Sequence, residues 1–441
     1  MAETADSIKR DHFLADLDKV KALGGSDWLQ GLRANGADRF GDTAFPTYKE
    51  EAWKYTDIKP ILRTPFRSLV AESASDVTKD SVSPHLYGVA GWTELVFVDG
   101  LYREDLSRLD GDDQKVHISN LASAIAAGDE TVQTHLNNIA AQSSAFVPLN
   151  TAFLQDGAYV HVQANTVLES PVHFLFVSTG IEPVATYPRN LFVLGQSSQA
   201  NLIETYVGLN NDTAYFSNGV TEMVLEDNAE LTRHKVVMEG SESFHLGAAN
   251  ALMGRDTRLK SFTFSFGGKI IRNELNVVLN GEGGQCDLNG LYLNSEDRLI
   301  DNALFVKHAS PKCYSRMAYK GVLDGTSRSV FTGMVLVPQD SQRTDSDQLN
   351  NNLLLSDKAT IDTKPQLEIF ADDVKCTHGA TIGGFPKELI FYFQSRGMSA
   401  AMANAMLTYG FAAEIVDSVE CEPLHDRLAD YVFSKFRPKQ A

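Results

Sequence analysis

The sequence predicts a mainly β protein, with a strand-rich centre flanked by helical N-terminal and C-terminal domains. Three observations carry this expectation. From about residue 150 to 393, short strand-forming runs alternate with polar turns: AYVHVQ (158–163), VHFLFV (172–177), NLFVLG (190–195), SFTFSF (261–266), NELNVVL (273–279) and QLEIF (366–370). No long helical pattern interrupts them, which disfavours a βαβ sheet. Polar breaks also recur between apolar anchors, starting at Leu194, Leu225, Met253, Leu279, Leu323 and Leu355, at intervals of 31, 28, 26, 44 and 32 residues. LNSEDRLI at Leu293 reads as an off-phase turn inside the long interval. Such a period suggests rungs that bury their apolar faces against one another. A β-helix satisfies it, and a sandwich or barrel also absorbs many short strands.

The flanks read differently. Phe13, Leu14, Leu17, Val20 and Leu23 recur at helical spacing, and Trp28, Leu29 and Leu32 start a second helix. ELVFVDGLY (94–102) reads as a hairpin turning at Asp99-Gly100. Ser119 to Ile139 reads as helix, a break at Gly128, then helix again. Near the end, 398–419 is Ala- and Met-rich with helical periodicity. Pro423 opens a second helix with Leu424, Leu428, Tyr431, Val432 and Phe436 on one face. The expected divisions are 1–148, mostly helical; 149–394, the strand-rich core; and 395–441, helical.

Composition narrows the function. The chain has 441 residues, enough to bury a large core without staples. Its net charge of −18 argues against nucleic acid or an anionic membrane as the main partner. The start, MAETADSIKRDHF, is polar, and the longest apolar stretches fall short of a membrane span, so the expected location is cytoplasmic. The cysteines at 286, 313, 376 and 421 form no CxxC pair, so neither a disulfide framework nor a self-contained zinc or iron–sulfur site is expected. The chain has no Walker A, GxSxG or HExxH motif and no GxGxxG leading into a helix. GEGG (281–284) reads as a turn, and His161 and His173 as structural or surface histidines.

The densest polar cluster is ADDVKCTHGATIGG (371–384). In a strand, residues two apart share a face, so Cys376 and His378 can approach one metal or cluster, with Lys375 and Asp373 on the other parity. Two ligands do not enclose a metal that takes four, so such a site is open or is completed by another chain. The alternative is a buried cysteine beside a hydrogen-bonded strand-end histidine. FPTYKEEAWKYTDI (45–58) combines aromatic and charged residues, and docking through Trp53 explains it more simply than a ligand platform.

KPQLEIFADDVKCTHGATIG (364–383), LIFYFQSRGMS (389–399), FPTYKEEAWKYTD and DGAYVHVQANTVLESPVHFLFV (156–177) resemble the SufB/SufD family of iron–sulfur cluster assembly proteins. The likeness spans nearly the whole chain. CTHG, where SufB carries a Glu-His pair, and the low cysteine count place it on the SufD side. The resemblance implies a right-handed parallel β-helix between helical domains. It also implies a non-catalytic scaffold that pairs with SufB through the β-helix and docks the ABC-type ATPase SufC on its C-terminal helices. His378, and Cys376 with it, would then hold a transient iron–sulfur cluster or iron at the SufB interface, with no tightly bound cofactor in the isolated chain. Arg396, Gly397, Met398 and Phe411 would contact the ATPase, and the isolated chain would form a homodimer. Two rivals are a β-helix enzyme acting on acidic polysaccharide and a stand-alone metal-binding protein. The first expects secretion, a calcium site and a basic groove. The second lacks ligands unless a homodimer supplies them.

Overall fold

The computed structural model describes residues 13–71, 76–110, 114–140 and 144–436. From Arg189–Leu194 onward, successive strands fall alternately into two sheets, so each pair of strands is one rung of a parallel β-solenoid. In the first sheet Phe216 stands beside Phe244, Phe244 beside Ile270, Ile270 beside Leu299, Leu299 beside Arg328, and Arg328 beside Thr360. In the second, Arg258 stands beside Gln285, Gln285 beside Tyr314, Tyr314 beside Asp345, and Asp345 beside Lys375. A rung is therefore roughly 30 residues, within the range that stacked architectures use.

The irregular sequence period has a structural cause. Leu194, Leu225, Met253 and Leu279 stack at the ends of first-sheet strands. Asn294, Leu323 and Leu354 stack at the ends of second-sheet strands. The long interval marks a change from one side of the solenoid to the other, and the off-phase turn at Leu293 belongs to that other side. The first series continues at His308, beside Leu279, where a polar residue hides it from an apolar count.

The turns after the first-sheet strands form a second ladder. Asn165, Ser197, Asn228, Asp256, Lys312 and Arg343 all have positive φ. Each donates its backbone N–H to a carbonyl in the turn of the next rung, for example Ser197 to Asp227 at 3.0 Å and Arg343 to Asp373 at 2.6 Å. Gly283 takes the same position between them with φ of +77°, where glycine carries no Cβ penalty.

Alternation sends one set of side chains into the lumen and the other outward. The lumen holds a continuous core from Leu95 and Phe97 to Phe331, Val335 and Val337. It also holds the Glu204–Arg233 ion pair, at 2.6 Å. Both outer faces are covered, which is why Phe216–Leu225 is buried along its whole length. N-terminal Phe13, Phe40, Phe45, Trp53 and Phe146 pack on Phe216, Phe244 and Ile270 of the first sheet. C-terminal Ala412, Ile415, Val416, Leu424, Leu428 and Val432 pack on Phe262, Phe264, Leu291 and Val322 of the second.

The hairpin forms as expected, with Asp99 and Gly100 at positive φ and Phe97 opposite Tyr102. Its first strand, Thr93–Val98, joins the second sheet beside Val172–Ser178, and Val116–Asn120 joins the first, so residues before 149 also supply solenoid strands. Helices Leu121–Ala126 and Glu130–His135 flank Gly128, whose φ is +73°. The second N-terminal helix runs from Asp27 to Asp42 and is capped by Ser26, which accepts from Leu29 N–H. The last strand ends at Gly383, and helices Lys387–Ser395, Ala400–Val416 and Glu422–Phe436 follow.

Four interior histidines set a pH dependence. Burial lowers His173 and His245, and lowers His234 and His308 to about 4. Unfolded histidine titrates near ~6.5, so between about pH 6.5 and 4 the unfolded chain binds more protons than the folded one. Stability is expected to fall as pH drops through that window, read as a declining urea midpoint. His234 stacks on Phe262 at 5.0 Å with both ring nitrogens unpartnered. His234→Phe should gain stability relative to wild type as pH falls from 6.5 to 4; a pH-independent difference would contradict this account.

Candidate functional site at the open end of the solenoid

The solenoid ends on strands Thr360–Ile369 and Lys375–Gly383, each the outermost member of its sheet. Neither contains a buried residue, whereas the preceding strands are half buried or more. Their outer edges present unpaired backbone groups. The described residues leave the lumen uncovered at this end. Cys376 and His378 lie on the last strand.

Register fixes their direction. Cys376 stands beside Ser346 and His378 beside Gln348, both side chains of the buried lumen set. Between them Thr377 faces outward and donates to Asp347; Thr381 donates to Asn351 at 2.8 Å on that same outer face. Thiol and imidazole therefore share the lumen face, as their spacing predicts, and Lys375 takes the other parity. Cys376 is half-buried against the lumen core, and His378 is exposed. Asp373 lies in the preceding turn, 3.7 Å from Arg343.

Polar groups of the rung beneath form a floor. Gln348 Nε2 donates across the lumen to the Gln366 carbonyl at 3.1 Å, and Thr363 donates to Asn350 Oδ1 at 2.8 Å. Asn350 Nδ2 reaches Tyr292 and the Tyr319 carbonyl, both at 3.1 Å. The rim is apolar, with Ile369, Phe370 and Ile382 exposed. Burial and the nearby Asp345 carboxylate raise the Cys376 thiol, opposed by a backbone hydrogen bond from Ser346. The thiol is thus held protonated, and a metal ion must displace its proton to use the sulfur. No group of three His, Cys, Asp or Glu side chains among the described residues is arranged to hold a metal ion. Cys376 and His378 supply soft and borderline donors that fit iron, free or in an iron–sulfur cluster, but only as part of a ligand set.

The second sequence cluster is a clasp. Residues 45–58 cross the outer face of the first sheet, where the Arg272 guanidinium sits 3.9 Å from the Trp53 ring. Arg272 also pairs with Asp301, whose Oδ2 accepts from Thr56 at 2.5 Å. Further along, Arg328 lies 5.6 Å from the Tyr55 ring and pairs with Asp362 at 2.7 Å, and Lys364 pairs with Glu51. Docking through Trp53 is the role seen.

The C-terminal residues divide. Arg396 and Gly397 are exposed in the link between two helices; Arg396 covers the Tyr392 ring at 5.4 Å, and Gly397 has φ of +86°. Met398 is half-buried, and its N–H is held by the Phe393 carbonyl at 3.2 Å. Phe411 faces the solenoid, with Lys320 Nζ 4.5 Å above its ring. The large apolar side chains that do face outward are Phe391 (70% exposed), Tyr392, Met402, Met406 and Phe433. Sequence reasoning missed Phe391 and Tyr392 because LIFYFQS, read alone, is as apolar as a core helix.

The structure defines a class of protein: a two-sheet parallel β-solenoid held between helical domains, with Cys376 and His378 on its unpaired last strand. Comparison with known proteins gives the family. Residues 176–411 match the SufBD core domain of the SUF system for iron–sulfur cluster assembly, and residues 11–174 match the SufBD N-terminal region. The chain belongs to the SufBD family and has its role in iron–sulfur cluster assembly by the Suf system. It is 32% identical to the iron–sulfur cluster assembly protein SufD of Escherichia coli over 88% of each chain. It is 30% identical to an iron–sulfur cluster assembly SufBD family protein of Synechocystis, covering 92% of this chain and 90% of that one. A more distant relative is the chloroplastic protein ABCI7 of Arabidopsis thaliana, at 24% over 92% of this chain. No described helix is long and apolar enough to cross a membrane.

Cys286, Cys313 and Cys421 are buried and Cys376 is not. Alkylation of the native chain, read by peptide mass, should label Cys376 first, and slowly near neutral pH because the thiol is protonated. Earlier labelling of a buried cysteine would show the rungs to be looser than described.

Proposed function

We propose that the chain is a non-catalytic scaffold subunit that pairs through its last rung with the paralogue SufB, holds a nascent cluster at that junction, and docks the ATPase SufC on its C-terminal helices. The observation that carries this reading is the coincidence of an unpaired rung with two ligand-type side chains. A partner strand added to either edge satisfies backbone groups and brings its own side chains to the lumen face of Cys376 and His378. Such a site is incomplete in one chain, which suits release more than storage. The same edges account for self-pairing when the partner is absent, and light scattering at micromolar concentration should then give a dimer mass; a strictly monomeric mass would count against the pairing surface.

His378→Ala removes an exposed imidazole without touching the rungs. It should leave SufB and SufC binding intact while cluster yield on reconstitution falls several-fold; Cys376→Ala should be milder, because its sulfur must first lose a proton. Wild-type yield from a fully formed His378→Ala complex would end the ligand role.

The ATPase is assigned to the outward apolar face of the C-terminal helices, with Arg396, Gly397 and Met398 at its turn. Phe411 supports that face from behind. Deleting residues 398–441 would bare Phe262, Phe264 and Leu291, so point changes test docking more cleanly. Phe391→Asp with Met406→Asp should abolish SufC binding and leave the thermal transition of the solenoid unchanged. Undiminished binding would sink the assignment.

A further inference from the structure

The N-terminal helices leave a cavity of about 350 Å³ between Leu17–Ala22, Asp27–Asp42 and Phe146–Ala152. Leu17 and Val20 line it from the first helix, Gly31, Ala34 and Ala37 from the second, and Ala152 from the third. Residues 31, 34 and 37 are three apart, so they share one face of their helix. That helix meets Phe146–Ala152 closely at Gly36, where a Cβ would stand 2.6 Å from the Ala152 nitrogen. The small side chains on either side of this contact leave the gap unfilled. Its volume is at the lower end of the range that small-molecule sites use.

One buried charge lines the cavity. Arg33 is 9% exposed. Its Nε donates to the Leu154 carbonyl and its Nη1 to the Gly24 carbonyl, both at 2.8 Å. Those carbonyls follow two helix ends and seat the guanidinium. Nη2 meets no acceptor, and no carboxylate among the described residues pairs with the group. Burial lowers its pKa with no acidic neighbour to oppose the shift. The other buried arginines of the described residues each have such a partner: Arg189 has Glu222, Arg233 has Glu204 and Arg272 has Asp301. Lys21, which also lines the cavity, is exposed and engaged by Asp18 at 3.0 Å.

A buried cation without a counter-charge is costly, and an anion placed against it offsets that cost. The walls are otherwise apolar, so the complement is one negative charge on an apolar body. A carboxylate carries one charge and accepts both Nη2 hydrogens. A phosphate monoester carries nearly two and calls for a second free cation, which the engaged Lys21 does not supply.

We propose that this cavity binds an alkyl carboxylate, with its head group on Arg33 Nη2 and its tail among Leu17, Val20, Ala34 and Ala152. The site shares no residue with the terminal rung and does not rest on the scaffold reading.

The test is calorimetric titration of the full chain with hexanoate and octanoate, and with octanol and octylamine as head-group controls. Octanoate should bind one per chain. Affinity should rise about fourfold per methylene from hexanoate to octanoate, the scale of a buried CH₂. Octanol should bind about tenfold more weakly, the scale of a lost charged hydrogen bond, and octylamine more weakly still. Arg33→Met keeps an apolar stem and should cancel the preference for octanoate over octanol. Ala34→Trp fills the cavity from an exposed helix position and leaves the bonds of Arg33 in place. It should abolish octanoate binding with the thermal transition unchanged. Phe391→Asp with Met406→Asp removes the outward apolar face of the C-terminal helices and should bind octanoate as wild type does. The proposal is overturned by absence of saturable binding at about 1 mM octanoate, by undiminished binding after Ala34→Trp, by octylamine binding as tightly as octanoate, or by loss of binding in the Phe391→Asp, Met406→Asp variant.

Discussion

Parallel stacking sets the condition that the rest of the molecule obeys. A rung cannot satisfy its own backbone or bury its own side chains; the rungs before and after it do both. Ladder bonds, lumen core and left-handed turn positions therefore repeat together along the chain. A stack built this way has two ends, and they differ here. At the start, antiparallel strands Val116–Asn120 and Leu101–Tyr102 pair with the solenoid and close its sheets. At the finish, Thr360–Ile369 and Lys375–Gly383 are left with one neighbour each.

The helical domains relieve the outer faces but not that end. Where the helical domains cover them, both outer faces carry apolar residues such as Phe216 and Phe244 on one sheet and Phe262 and Phe264 on the other, as parallel sheets usually do. Buried charge pins the N-terminal region to the first sheet. Arg189 pairs with Glu222 at 2.6 Å and also reaches Asn137 and Asn150, while Glu222 accepts from the backbone N–H groups of Asn137, Ile139 and Ala140. Such a pair adds little net stability over an apolar replacement, yet losing one partner costs about 3–5 kcal/mol. Its value is in fixing one docking arrangement. Inside the lumen Lys235 donates to Asn273 at 2.8 Å, and burial with the Arg233 charge lowers its amine to about 7. Polar content here marks a lumen made of residues that must match across rungs.

Several features were legible in the residues because they depend on near neighbours in sequence. Cys376 and His378 share a face for the same reason any strand residues two apart do. The Asp99-Gly100 turn, the break at Gly128 and the helix opened at Pro423 are set by local backbone preference. Trp53 announced a docking segment because a tryptophan among charges seldom stays in water. Membership of the SufBD family was likewise carried by the runs around CTHG and AWKYTD.

Other features depended on pairing across rungs, which no local pattern encodes. The change of side within the 44-residue interval is invisible when one counts apolar anchors, because His308 holds a stacking position that apolar residues hold elsewhere. Phe411 and Phe391 are both aromatic residues on C-terminal helices. Only packing against Lys320 turns the first inward and leaves the second in solvent. His161 read as a structural or surface histidine; the antiparallel pairing of its strand sets it beside His117, 44 positions away. Sequence by itself determined the strand and helix types and the face shared by Cys376 and His378, since these follow from backbone geometry over a few residues. Tertiary structure decided which rung lies last and uncovered, because that is a property of the whole stack.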